Sequence, residues 1–258
     1  MLTILIFFVA HWYLSLAAQT LFLHRYAAHG YYKLTPTGEK IGHFLNLLFQ
    51  GSSYLSPYAY GILHKAHHSY SDTPEDPHSP NQHNTPISMM LHTAQEYMDI
   101  FNGTHKLNKI FTPNVRQWKS FDTFASSWPV RLFFVFFYTA FYLKFAPHWG
   151  FYFLLPLHFL MGPLHGLIVN WCGHKYGYRN KITPDLSTNT LPIDLFLMGE
   201  LYQNNHHGFP NDVKFSKKWW EIDFGFWCLK LMGLVPSKKF IGQGSSQSSQ
   251  PTIKEKIA

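Results

Sequence analysis

Residues 2–29 read LTILIFFVAHWYLSLAAQTLFLHRYAAH. From Leu2 to Leu23 this stretch carries no charged residue, and about 20 apolar residues suffice to cross the hydrocarbon core of a bilayer. Ser15-Leu16-Ala17 has the small residues of a signal cleavage site, but no basic head precedes the apolar run, so it reads as a span rather than a removable leader. The span runs straight into His24 and His29. Imidazole is the one neutral side chain that both titrates near pH 7 and ligates iron or zinc well. A span ending on a histidine pair directs attention to the other histidines.

Of the 17 histidines, six more fall in tight groups: HKAHH at residues 64–68, NWCGH at 170–174 and QNNHH at 203–207. The polar composition has to be reconciled with spans. Only 14% of the 258 residues are charged, against about 25% in soluble domains, and 18% are aromatic, with 24 Phe. Mean hydropathy is nevertheless −0.12. The expected fold is therefore all-α, with about three transmembrane helices and interfacial helices carrying a cytosolic helical cap that holds a histidine-rich dimetal site. Residues 1–241 read as a single integral-membrane domain. Residues 242–258, GQGSSQSSQPTIKEKIA, read as a disordered polar tail. Two cysteines, Cys172 and Cys228, exclude a disulfide framework or a cysteine-held iron–sulfur cluster. Cys172 reads as a packed thiol.

Besides Leu2–Leu23, the stretches Leu132–Phe145 and Phe151–Val169 are apolar enough to cross, the former needing its flanks for length. Ile41–Leu63 is a fourth candidate, but His43, Asn46, Gln50, Ser52, Ser53 and Pro57 suit a helix lying in the interface or under the cap. Charge decides between these. Of 21 Lys and Arg, only Lys144 lies by the short connection between the second and third spans. Positive residues concentrate on the cytoplasmic side. With Ile41–Leu63 not crossing, all four histidine groups and nearly all basic charge share that side. Phe145 to Gly150 then forms the external turn, with Trp149 as an interfacial anchor.

His64, His67 and His68 stand at i, i+3 and i+4, as do Gln203, His206 and His207, while Asn170 and His174 stand at i and i+4. Each set shares a helix face. His24 and His29 are five apart, too far round an α-helix for one stripe, so they are expected to straddle a helix end. Adjacent pairs such as His67/His68 diverge by about 100°, which suits two metal ions better than one. His11, His43, His83, His92, His105, His158 and His165 read as surface or packed residues, and His148 as solvated in the external turn. No HExxH zinc-hydrolase signature occurs. The one ExxH spacing, Glu75–His78, is interrupted by Pro77 and reads as a turn. The glutamate pairs of soluble di-iron bundles are missing, so the ligand set is rich in nitrogen and poor in carboxylate.

These boxes resemble those of the membrane-bound fatty acyl desaturases, most closely the bacterial acyl-CoA members of the stearoyl-CoA (Δ9-like) type. HRYAAH (24–29) is similar to the first HxxxxH box, and HKAHHSYSDTPEDPHSP (64–80) to HxxHH with its acidic sequel. NWCGHKYGYRN (170–180) and GELYQNNHHGFP (199–210) are similar to the last two. The likeness runs from about residue 10 to residue 235. It implies two Fe2+ ions held by His24, His29, His64, His67, His68, His174, His206 and His207, with Asn170 acting through a water. It also implies O2-dependent desaturation of a long-chain acyl-CoA or related acyl lipid in a bacterial inner membrane, the active site facing the cytoplasm.

The chain departs from the pattern in two places. Gln203 stands where a further ligand histidine is common, and the span that usually precedes the first box is missing, which implies a three-span form or an incomplete start. Asp72, Asp76, Glu200 and Asp212 are candidates to orient the imidazoles from behind, with Gln203 beside them. No nicotinamide, flavin, haem or iron–sulfur motif is present, so electrons are expected from a separate carrier of ferredoxin or cytochrome b5 type. A basic face suits an acidic carrier or coenzyme A phosphates. No nucleic-acid partner is expected. Gln203 keeps a hydroxylase on the same scaffold as the alternative. A metal carrier is disfavoured because transport sites belong at mid-bilayer depth.

Overall fold

The structure, a computed structural model, describes residues 1–105, 107 and 110–235. The expected tail at 242–258 lies outside them. Every regular element among the described residues is helical, and the only strand-like pairings are isolated bridges of Asn189 with Tyr178 and Tyr202.

Helix α1 (Leu2–Ala17) passes without a turn into a π-type stretch, Ala18–Ala28, giving one continuous helix of 27 residues. His24 lies inside this helix and His29 is its C-cap residue, so the pair straddles the helix end as expected, and the winding explains how the two rings meet. In π-type winding the amide of residue i+5 bonds the carbonyl of residue i, and His29 N donates to His24 O at 3.1 Å. A five-residue spacing that would diverge on an α-helix thus brings both rings together, their centroids 4.9 Å apart.

The next three long helices begin alike. Thr35, Ser56 and Thr85 each accept a backbone N–H with the side-chain oxygen and are each followed by proline, at the starts of α2 (Pro36–Gln50), α3 (Pro57–Tyr70) and α4 (Pro86–Asn102). The hydroxyl satisfies an orphan donor and the proline presets the first turn. In α2 the amphipathic order is inverted. Ile41, Phe44, Leu45 and Leu48 form an exposed stripe, while Glu39, His43, Asn46 and Gln50 are buried. Fifteen residues rise only about 22 Å, too short to cross. The segment read as Ile41–Leu63 is broken at Gly51–Ser53 into two helices.

The second expected span extends at its front, as α6 runs Trp128–Phe145, with α5 (Lys119–Ala125) bent 44° before it. The third is not straight. A 3-10 turn, Trp149–Leu154, leads into α7 (Leu155–Phe159), and α8 (Met161–Gly173) departs from it at 73°. Proline clashes with the carbonyl four residues back, so Pro163 forbids a helix running through Phe159; it is tolerated in the first turn of α8, where its N–H would be unpaired anyway. Among the described residues, one helix is long and apolar enough to cross a membrane, or up to three if each bent pair is one span.

The core joins these pieces in layers. Ile4, Tyr138, Tyr142 and Leu155 lock α1 to α6 and α7, and Trp12, Leu16, Met161 and Val169 lock it to α8. The cap is closed by residues 174–202, α9 (Gln203–Gly208) and α10 (Phe224–Leu231). Asp194 steadies that irregular stretch by accepting the backbone N–H groups of Leu197, Gly199 and Leu201.

Candidate metal centre

Two sets of imidazoles converge where α3, the π-type stretch, α8 and α9 meet. His24, His29, His64, His68 and His206 form one set; His67, His174 and His207 form the other. Together they contain all eight histidines picked out by their spacing. The adjacent pairs divide, His67 from His68 and His206 from His207, as their divergence on a helix requires.

The contacts within each set are between ring nitrogens. His29, His64, His68, His206 and His24 form a chain of Nε2 neighbours at 2.9, 3.0, 2.9 and 3.1 Å. In the second set His67 Nε2 lies 3.3 Å from His207 Nε2, and His174 Nε2 has no hydrogen-bond partner. Nitrogens bound at about 2.1 Å to one ion stand about 3 Å apart when at right angles.

The opposite edges of the rings explain why the Nε2 atoms point inward. His24 Nδ1 donates to Glu200 at 2.6 Å, His67 Nδ1 to Asp76 at 2.9 Å, His174 Nδ1 to Asp72 at 2.8 Å and His207 Nδ1 to Asp185 at 2.9 Å. A carboxylate accepting at Nδ1 fixes the tautomer and leaves a bare lone pair on Nε2. In His67 and His207 the two Nε2 atoms face each other, which is repulsive unless a metal ion or a proton lies between them. The donor set therefore fits metal ions, and its nitrogen-rich composition suits iron or zinc.

Electrostatics reinforce this. Burial, together with neighbouring imidazoles, pushes His29, His64, His68 and His206 well below the ordinary histidine range, keeping them neutral. Burial also lowers His207, to about 4, against the opposing hydrogen bond from Asp185. For His67 burial works downward, but the Asp76 charge and hydrogen bond outweigh it and the balance is upward. Burial alone would raise Asp72, Asp76, Asp185 and Glu200; their histidine partners and, in each of them, further hydrogen bonds outweigh it and hold them below the usual carboxylate range.

Behind Glu200 stands a fully buried guanidinium. Arg25 donates to Glu200 Oε1 at 3.0 Å and to Asp223 Oδ1 at 2.8 Å, and its carbon lies 4.0 Å over the Phe215 ring. A side chain at Gly225 would start 2.3 Å from that guanidinium, so only glycine leaves room for it.

Of the four acids expected to orient imidazoles, Asp72, Asp76 and Glu200 do so. Asp212 does not; it pairs with Lys217 near the surface, away from both sets. Asp185, Arg25 and Asp223 were not foreseen. Asp185 sits in a loop, at no periodic distance from the histidine it holds. Arg25 had a signal in its place inside HRYAAH. Gln203 Nε2 donates to the Glu200 carbonyl at 2.7 Å, which leaves the amide oxygen as its free end. His78 belongs to a third group with His67 and Asp76. Both Asp76 oxygens are already on His67 Nδ1, so this group reads as an anchor rather than a separate site. Cys172 belongs to none of the groups.

A cavity of about 550 Å3 reaches this centre. One end is lined by His24, His64, Asn170, Glu200 and Gln203, the rest mainly by apolar side chains of α4, α7 and α8.

The family model for fatty acid desaturases matches residues 1–226. The chain belongs to that family. Its desaturase boxes lie on the elements just described, and the family's membrane association agrees with the apolar helices. The chain is similar to a hex-5-enoyl-[acyl-carrier protein] acetylenase of Moorena producens (strain JHB), with 26% identity over 88% of this chain and 74% of that protein. It is similar to an sn-1 stearoyl-lipid 9-desaturase of Anabaena variabilis, 24% identical over 84% and 75%. An acyl-CoA 5-desaturase of Anemone leveillei is 26% identical over 83% of this chain and 63% of its own length. Membership makes this an oxidoreductase acting on fatty acids.

Proposed function

We propose that this desaturase introduces a double bond into a long-chain fatty acyl group, at two iron ions held by His24, His29, His64, His68 and His206 on one side and His67, His174 and His207 on the other. The observation that carries the reading is the junction of two environments: the first imidazole set, through His24 and His64, opens onto a cavity lined mainly by apolar side chains. A hydrolytic metal site would need room for water and a polar substrate. This one offers space for a hydrocarbon.

Bound iron supplies the redox chemistry, in which –CH2–CH2– becomes –CH=CH– while O2, two electrons and two protons become two waters. The protein's residues prepare that event. The four carboxylates hold imidazole tautomers in place, so the ligands are oriented before any substrate arrives. Neutral, buried histidines leave their lone pairs free at physiological pH. The apolar wall excludes water, and its shape sets which methylenes lie beside the imidazoles. Asn170, one turn before His174, and Gln203 supply the amide groups at the polar end, where each acts beside the ligand imidazoles or through a water. Electrons come from a separate ferredoxin- or cytochrome b5-type carrier docking on the basic face, and that face is cytoplasmic by the distribution of Lys and Arg.

The test is the fatty-acid profile of cells expressing the chain, by mass spectrometry. New monoenes, lost in a His68→Ala variant, are expected. Hydroxy acids without a new monoene would overturn the desaturase reading in favour of a hydroxylase on the same scaffold.

A further inference from the structure

The two imidazole sets are backed unequally. In the set of three, every ring has a carboxylate at Nδ1: Asp76 behind His67, Asp72 behind His174 and Asp185 behind His207. The other described partners of these carboxylates are hydroxyls, an amide and backbone N–H groups, none of them charged. In the set of five, the one carboxylate at a ring nitrogen among the described contacts is Glu200, on His24, while His206 Nδ1 has no hydrogen-bond partner. That one carboxylate is shared. The buried Arg25 donates to it, and the Thr20 hydroxyl bridges the two.

A carboxylate behind an imidazole makes it a more basic ligand and favours the more highly charged ion. A guanidinium nearby works against both. The charges that reach the rings differ in the same sense. Beyond burial, those acting on His67 belong to Asp76, Asp72 and Asp185, and they favour a cation. Those acting on His29 include Lys65 and Arg25, which oppose one. Asp223, the second partner of Arg25, touches no imidazole in the described contacts and accepts the Phe215 N–H with its other oxygen. Three uncompensated carboxylates thus stand behind three imidazoles, and one compensated carboxylate behind five.

We propose that Arg25 makes the two iron sites unequal, by drawing the charge of Glu200 away from His24. The three-imidazole site favours Fe3+ and is oxidised first. The five-imidazole site favours Fe2+, so it is the first to regain an electron from the carrier protein, Fe3+ + e− becoming Fe2+. The inference rests on the two-iron reading given above and adds to it an order of reduction. Arg25 acts through Glu200 rather than on an ion, which makes it a positioning residue. Its burial between two carboxylates and the Phe215 ring holds it in that role.

The test loads the full chain, in detergent, with saturating Mössbauer-active ferrous iron and oxidises it stepwise with mediator dyes, following both irons by Mössbauer spectroscopy. Two one-electron midpoints are expected in the parent. Asp185→Asn removes a charge behind the three-imidazole site. It should raise the lower midpoint by about 59 mV or more, a tenfold loss of preference for Fe3+, and leave the upper one in place. Arg25→Met should lower the upper midpoint by a similar shift, and Arg25→Lys, which keeps the charge, should return most of it. Asp223→Asn leaves the guanidinium to Glu200 alone and should raise the upper midpoint, which reads the same contact if Arg25→Met does not fold. Asp185→Asn moving neither midpoint, or both equally, would overturn the inference. So would an upper midpoint that neither Arg25→Met nor Asp223→Asn displaces. Either result with two irons per chain leaves the two-iron reading standing, whereas fewer than two irons in the parent would overturn both.

Discussion

Eleven of the protein's histidines lie in two regions that put the same side chain to different use. In the cap, eight imidazoles point their Nε2 atoms at one another, and four of them are held from behind by carboxylates. In the membrane half, His11 and His158 are stacked with Nδ1 atoms 2.6 Å apart, and the Tyr142 hydroxyl is hydrogen-bonded to His158 Nε2 at 2.9 Å. His165 packs edge-on against Trp12. No carboxylate stands behind any of the three in the contacts described. Burial is common to both regions and distinguishes nothing. For the four carboxylate-backed rings the difference lies in the far nitrogen: a carboxylate there leaves a lone pair for a cation, whereas in His11 and His158 tyrosine and a second imidazole complete an ordinary hydrogen-bond chain.

The comparison breaks most severely at a converging imidazole. His68→Ala removes the Nε2 that touches both His64 and His206. Activity is expected to fall by more than about 100-fold, with bound iron reduced, since even outer partners of metal ligands are worth about 10–100-fold. Activity within about tenfold of the parent would remove His68 from the ligand set.

Next comes the carboxylate behind a ring. Asp185→Ala frees His207 Nδ1 and should weaken metal retention by about 10–100-fold in a chelator competition, with Asp185→Asn milder because its amide oxygen still accepts. Unchanged retention would mean that the pairing is structural only.

Acidification sharpens the contrast. His29, His64, His68 and His206 are neutral when folded but bind protons below 6.5 when unfolded. The unfolded chain therefore takes up more protons as pH falls through that value, and stability falls with it. His67, raised by Asp76, works the other way, one group against these four and His207. The thermal midpoint of the metal-free protein should drop between about pH 7 and about pH 5. A midpoint flat or rising on acidification would contradict the neutral, buried assignment.

The smallest effect is expected in the membrane half. His158→Phe strands the Tyr142 hydroxyl and His11, costing about 1–3 kcal/mol of stability, with iron content unchanged. Loss of iron in that variant would erase the distinction between the two regions.

Much of this contrast is legible in the sequence. Spacing at i, i+3 and i+4 separates His64, His67, His68, His206 and His207 from the scattered histidines because periodicity carries through a helix. Local rules fail where the backbone leaves that period. The π-type winding that aligns His24 with His29 has no signature in HRYAAH, and the bend at Leu160 is written in Pro163, three residues downstream of it. Asp185 meets His207 across a loop of no regular geometry, so only the folded chain reveals it. Asp212 has the same chemistry as Asp72 and was a candidate on that ground, but Lys217, five residues on, takes its carboxylate at the surface.

The central claim is that eight imidazoles surround two cations. Anaerobic loading with ferrous iron, followed by elemental analysis and X-ray absorption at the iron edge, tests it most directly. Two irons per chain in a shell dominated by imidazole nitrogen, falling in the His68→Ala and Asp185→Ala proteins and unchanged in His158→Phe, are the predicted result. A single iron, or a shell dominated by oxygen, would contradict it.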